Sequence, residues 1–223
     1  MSVWTNLSNA ALLRINEARI VSINDTGELA QRIRDIYEDV AREVLEEHDW
    51  GSATKRVDLT EVASSDPIIG LWEKRYELPA DFIRATRVLP KNVATDGTVS
   101  YGAKEITDWR AENSRILVGA LDEVLGSRFP SADGVSLVYV AYDETEMGRW
   151  SPTLKSAVAA LLASRLAVGT VGSVQLQAKT EAEYERLLRK AQRFDTYREG
   201  AHQVRYDNTD HGFQGETYSS LSG

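Results

Sequence analysis

The sequence has no cysteine in 223 residues, which excludes a disulfide framework, thiolate chemistry and cysteine-ligated zinc or iron–sulfur centres. A reducing cytoplasm as the place of synthesis fits that absence. Histidine is nearly as scarce. His48, His202 and His211 are the three in the chain, and no two stand at the helical spacing that metal ligation needs. His202 and His211 could reach a metal only with Asp207 or Asp210, in a polar stretch whose composition supplies such residues without any site. No G-x-S-x-G elbow sets a serine beside a base, and Gly169–Thr170–Val171–Gly172 lacks the lysine of a phosphate loop. Carboxylates such as Glu144 and Glu146 are plentiful, and a glycan hydrolase needs two of them across a cleft. In a chain with 34 acidic residues, such pairs arise on solvated surfaces without function. No catalytic residue, cofactor or metal is expected.

Long uninterrupted apolar runs are also missing. The N-terminus, MSVWTNLSNAALLRINEAR, has no basic region leading into an apolar stretch, so it does not read as a secretory signal. The most apolar run, Ala157 to Val174, is broken by Ser164, Arg165, Gly169 and Gly172, which makes it a poor membrane span. Positive charge is in deficit as well. A formal charge of -8 sets the chain as a whole against a phosphate backbone, where nucleic-acid binders carry a basic stripe. The balance is local: Thr26 to Asp49 is rich in Asp and Glu, whereas Arg186, Arg189, Lys190, Arg193 and Arg198 make a later segment basic. Opposed faces of this kind can steer identical subunits together.

What is present begins with helical signals. Asn9 is a candidate cap for a short helix carrying Leu12, Leu13 and Ile15. Thr26 is a candidate cap for a longer one, with Leu29, Ile33, Ile36, Tyr37, Val40 and Val44 at steps of three and four. It should end near His48, and Trp50 directly after it reads as a plug over the helix end or, alternatively, as an interface anchor. From about Val57 to Tyr142 the period changes to short β-branched and aromatic runs. Leu71–Tyr76, Phe82–Leu89, Val99–Tyr101, Arg115–Val118 and Val135–Tyr142 are the expected strands. Thr95–Asp96–Gly97 and Ala132–Asp133–Gly134 supply turn chemistry, and Leu78–Pro79–Ala80–Asp81 a stop in which Asp81 can bond the turn amides.

Ser151–Pro152 then reads as an N-cap with proline at the first helical position. The helix that follows is apolar on more than one side, through Leu154, Ala157, Val158, Leu161, Leu162 and Leu166, and Gly169 and Gly172 break it. A last helix places Leu176, Tyr184, Leu187, Leu188, Ala191 and Phe194 on one side and charge on the other. The chain therefore reads as α+β: an antiparallel helical bundle with an inserted β-rich domain and an extended C-terminal tail. Residues 1–56 and 150–198 are the two halves of the bundle, 57–149 the insertion and 199–223 the tail. Since both apolar stripes lie outside the insertion, excising residues 57–142 is expected to leave helices that still pair.

Four segments carry a family resemblance. They are Ala11–Ile20 with Ser22–Asp25; Val44–Leu45–Glu46–Glu47–His48–Asp49–Trp50 with Arg56; Trp72–Glu73–Lys74–Arg75–Tyr76–Glu77–Leu78–Pro79–Ala80–Asp81–Phe82–Ile83–Arg84; and Tyr139–Val140–Ala141–Tyr142 leading into the helix from Pro152. In order and spacing, over about nine-tenths of the chain, they resemble the tail tubular protein A family, the head-to-tail adaptors of short-tailed phages. Gly51–Ser52–Ala53, where the family tends to have a larger residue after the tryptophan, and the long polar C-terminus are departures.

The resemblance implies a dodecameric homo-oligomeric ring between the portal protein and a tail nozzle protein of tail tubular protein B type. DNA would pass through its channel without specific binding, and no membrane would be involved. The place implied is the tail of the virion, after synthesis in the host cytoplasm. Candidate contact residues toward a neighbouring subunit, portal or nozzle are Trp50, Arg189, Arg193, Tyr206, Phe213 and Tyr218. The last three are widely spaced aromatics in a segment too polar to fold alone. The rival reading is a tail-associated glycan hydrolase.

Overall fold

In the computed structural model, which describes residues 2–62, 72–102, 105–119 and 134–207 (backbone alone for 73 and 197–207), the described residues form a mixed α/β fold of four helices and two antiparallel sheets. Helix α1 is Val3–Arg14 and is capped by Ser2, whose Oγ accepts the Thr5 amide at 3.1 Å. Asn9, the cap expected from sequence, instead lies within the helix. Its side chain accepts the Ile20 N–H (2.9 Å) and donates to the Ile20 carbonyl (3.0 Å), pinning the returning chain along α1. Helix α2 is Glu28–Glu46 and follows Gly27 without a side-chain cap, so Thr26 plays no capping part. Its buried stripe is Ile33, Val40, Val44 and Leu45.

Helix α3, Pro152–Leu166, starts where the sequence indicates, with Ser151 Oγ accepting the Leu154 amide at 3.2 Å. It is buried nearly all round because α1, α2 and α4 (Val174–Asp207) all pack on it. Ala157, Ala159, Ala160 and Ala163 are each at most 1% exposed, and their small side chains let the neighbouring helices approach. The stretch Pro152–Val171 is long and apolar enough to cross a membrane by length and composition, with mean hydropathy 1.4, but 61% of it is buried inside the protein. A single π-helical turn, Ala167–Val171, ends at Gly172 with φ 68°, a left-handed conformation that glycine adopts without steric cost.

One sheet has the order β1-β7-β3-β4 and forms a half-barrel; the other has the order β2-β6-β5. The strands are β1 Thr54–Leu59, β2 Trp72–Glu77, β3 Phe82–Val93, β4 Val99–Tyr101, β5 Trp109–Glu112, β6 Arg115–Gly119 and β7 Gly134–Ala141. Asn113 and Ser114 join β5 to β6 with φ 49° and 60°, the two left-handed residues that a tight two-residue hairpin requires. Register shifts in β3 between Phe82 and Arg84 and between Ala85 and Arg87 bend that strand, as bulges do. The expected turn at Ala132–Asp133 lies outside the described residues.

This arrangement overturns the expected helical bundle with a separate β-rich domain. Strand β7 is buried along almost its whole length. Successive side chains of a strand point to opposite faces, so a strand buried at nearly every position needs cover on both. On one face Leu137, Tyr139 and Ala141 pack with Tyr76, Ile116 and Val118 of the smaller sheet. On the other, Val140 joins Tyr142, Trp50, Leu154 and Leu162 in the helical core. The helices bury part of their apolar surface on the sheet rather than only on one another. Ties between the layers follow: Arg84 donates to the Glu46 carbonyl (3.0 Å) and pairs with Asp49 (3.1 Å), and Ser52 Oγ accepts the Ser151 amide (3.2 Å). Residues 199–207 of the expected tail are instead helical, since α4 runs on to Asp207, and 208–223 lie outside the described residues.

Candidate functional site

Trp50 is 0% exposed, and its indole N–H donates to the Val44 carbonyl at 2.9 Å. It closes the end of α2, with no face left for a partner. Asp195 of α4, 5% exposed, accepts the Gly51 amide at 2.8 Å and lies 3.7 Å from His48 Nε2. That buried carboxylate locks α4 onto the turn carrying Trp50. Nothing in the sequence spacing links residues 51 and 195, so this lock was not legible there.

A small cleft of about 200 Å3 opens between the β1 end and the chain before α3, lined by Ser52, Lys55, Asp143, Glu146, Arg149 and Trp150. Lys55 Nζ donates to Asp143 at 2.5 Å and to Asp81 at 2.7 Å, and the Tyr139 hydroxyl donates to Asp81 at 3.0 Å. Asp81 thus serves a cross-strand ion network instead of the turn amides it was expected to bond. Hydrogen bonds from Lys55 and then Thr145 hold the Asp143 carboxyl well below the usual carboxylate range. Bonds to Asp143 and Asp81 push the lysine up in turn, so Lys55 is a charged strut and not a nucleophile. Glu144 accepts the Tyr37 (2.8 Å) and Tyr142 (3.2 Å) hydroxyls, and Glu146 pairs with Arg149 at 2.7 Å. Both carboxylates named for the hydrolase reading are thereby engaged in local structure.

Burial gives these tyrosines a measurable signature. It is the largest cause raising Tyr37, Tyr76, Tyr139 and Tyr184 to about 12, with Glu144 adding at Tyr37 and Asp81 at Tyr139. An unfolded tyrosine titrates near ~10, so the folded state holds these phenolic protons more tightly. Their contribution to stability is complete below pH ~10 and is lost as pH rises toward ~12. The protein is expected to unfold in that window, with tyrosinate absorbance rising together with the loss of helical circular dichroism. Complete conversion of all nine tyrosines to tyrosinate by pH ~10 with the helices intact would contradict this burial.

A basic surface lies on α4. Lys179, Arg186, Lys190 and Arg193 recur at steps of seven, four and three, which places them on one helix face; all four are exposed. That face lies opposite the buried Thr180, Tyr184 and Ala191. Arg189 flanks the stripe and pairs weakly with Glu185 at 3.6 Å. Phe194, placed on the apolar side by sequence, is 54% exposed, with Lys190 Nζ 5.9 Å from its ring centre. Together Arg186, Arg189, Lys190, Arg193 and Phe194 line an open hollow of about 380 Å3. On α2 the counterpart is Asp35, Asp39 and Glu46, exposed at steps of four and seven opposite Ile33, Val40 and Val44.

Arg189 and Arg193 therefore stand together on one surface, while Trp50 is remote from any. The backbone of Tyr206 is helical near the α4 end, and Phe213 and Tyr218 lie outside the described residues. Among the described residues, no group of His, Cys, Asp or Glu is arranged to hold a metal ion. Compared with known proteins, the chain matches no protein-family model and no curated sequence.

Proposed function

We propose that the chain is a structural adaptor of the tail tubular protein A type, whose copies close a ring that joins the portal to the tail nozzle of a short-tailed phage. The ordered resemblance of the four segments between Ala11 and the helix from Pro152 carries this reading. The net acidic face of α2 and the basic face of α4 support it, because two different surfaces on one subunit suit the heterologous contact from which rings are built. An acidic chain, of formal charge -8, suits the lining of a DNA channel, since a wall that gripped phosphate and released counterions would slow passage. The partners are further copies of itself, the portal and a nozzle protein of tail tubular protein B type. Its place is the virion tail, after synthesis in the host cytoplasm.

Negative-stain images of the protein mixed with its portal test the proposal. Closed annuli stacked coaxially on portal rings are expected. Portal rings with nothing docked, and no annuli in the protein alone, would overturn it.

A further inference from the structure

We infer that the subunit contact is made by the basic face of α4 on one copy against the acidic face of α2 on the next; this rests on the ring-forming reading and specifies its surface. Among the described residues, Asp35, Asp39 and Glu46 have no ion-pair partner, and neither do Lys179, Arg186 and Arg193. Other charges on these helices are spent internally: Glu28 on Arg32, Glu38 on Arg42, Glu43 on Arg165. With Arg32 and Arg42 paired to glutamates of their own helix, each helix keeps an outward stripe whose unpaired charges are of one sign.

Helices α2 and α4 both pack on α3 and meet each other chiefly where Gln192 reaches the Glu47 carbonyl, at 3.4 Å. Their outward stripes cannot neutralise one another within a copy. Between copies they are matched in kind, since both are helical edges with charges every one or two turns. Like charges on neighbouring edges would repel, so only the α4-to-α2 pairing is favourable, and pairing of one stripe with its own copy is excluded. A two-fold contact that sets either stripe on its own copy is thereby ruled out, and the α4-to-α2 contact can repeat head to side around a ring. Exposed Phe194, beside Lys190, gives the contact an aromatic centre of the kind that dominates interface energetics.

The test is charge reversal with mixing. Arg186→Glu/Lys190→Glu/Arg193→Glu makes both faces acidic, and Asp35→Lys/Asp39→Lys/Glu46→Lys makes both basic; all of these sites are exposed, so each variant should melt as the wild type does. Measured by sedimentation velocity, each variant alone should self-associate at least about a hundredfold more weakly than wild type. An equimolar mixture should recover assembly, because every contact is again between opposite signs. Wild-type assembly should weaken at least about tenfold between ~0.1 M and ~1 M salt, as screening shortens.

Variants that assemble as wild type does would overturn the inference while leaving the ring reading in place. Loss of assembly in both variants with no recovery on mixing would also overturn it. A wild type that stays monomeric alone and with its portal would remove both readings together. If Arg186→Glu/Lys190→Glu/Arg193→Glu abolished binding to duplex DNA and left assembly unchanged, the α4 face would be a nucleic-acid surface and the inference would fail.

Discussion

Leu161→Asp is expected to unfold the helical layer, losing on the order of 5 kcal/mol or more, because the mutation removes a packed side chain and leaves an uncompensated buried charge. Leu161 is 4% exposed on α3, the helix on which α1, α2 and α4 all pack. Domain stability is only ~5–15 kcal/mol in total, so one such charge consumes much of it. Leu13→Asp is the matched control: that leucine is 62% exposed, and a surface change of this kind costs within ~0.5 kcal/mol. Thermal melts followed by circular dichroism should separate the two variants clearly. A Leu161→Asp protein melting with the wild type would mean that α3 is not the centre of the fold.

The second large effect concerns the boundary between helices and sheets. Excising residues 57–142 removes Val140 and Tyr142, which are 0% and 7% exposed within the helical core. It also removes the second face of that core, against which Trp50 and Ala53 pack. The shortened chain is therefore expected to lack a cooperative transition and to expose apolar surface that binds a hydrophobic dye. The uncut protein should melt as one unit, since β7 belongs to both cores. A cooperative melt of the shortened chain with full helicity would show that the helices do stand alone.

Local signals in the sequence are legible where local chemistry decides. Ser151–Pro152 starts α3, the glycines after Leu166 mark its break, and Val99–Tyr101 is a strand with Thr95–Asp96–Gly97 turning into it. Charged edge strands were missed. The β1 run TKRVDL has no alternation strong enough to see, because an edge strand gains from Lys, Arg and Asp that discourage further pairing. Strand β5, WRAE, is mostly exposed for a similar reason.

The error about the fold came from Val135–Tyr142. A run apolar at every position but Ser136 signals cover on both faces, and its second face is the helices themselves. The Lys55–Asp81–Asp143 network and the Asp195 lock join residues far apart in sequence, where no periodicity reports contact. The basic face holding Arg189 and Arg193 was legible, since helical spacing alone fixes which side chains share a side. The exposure of Phe194 was not, because α3 is covered on the flank of α4 centred on Tyr184 and Ala191.

Mass photometry of the purified protein at low salt, alone and with its portal, tests the central claim most directly. The account predicts a closed multimer of one defined mass, twelve-fold if the resemblance extends to ring size, formed alone or on the portal and dispersed by high salt. A single monomer peak of 24.8 kDa under every one of these conditions would contradict it.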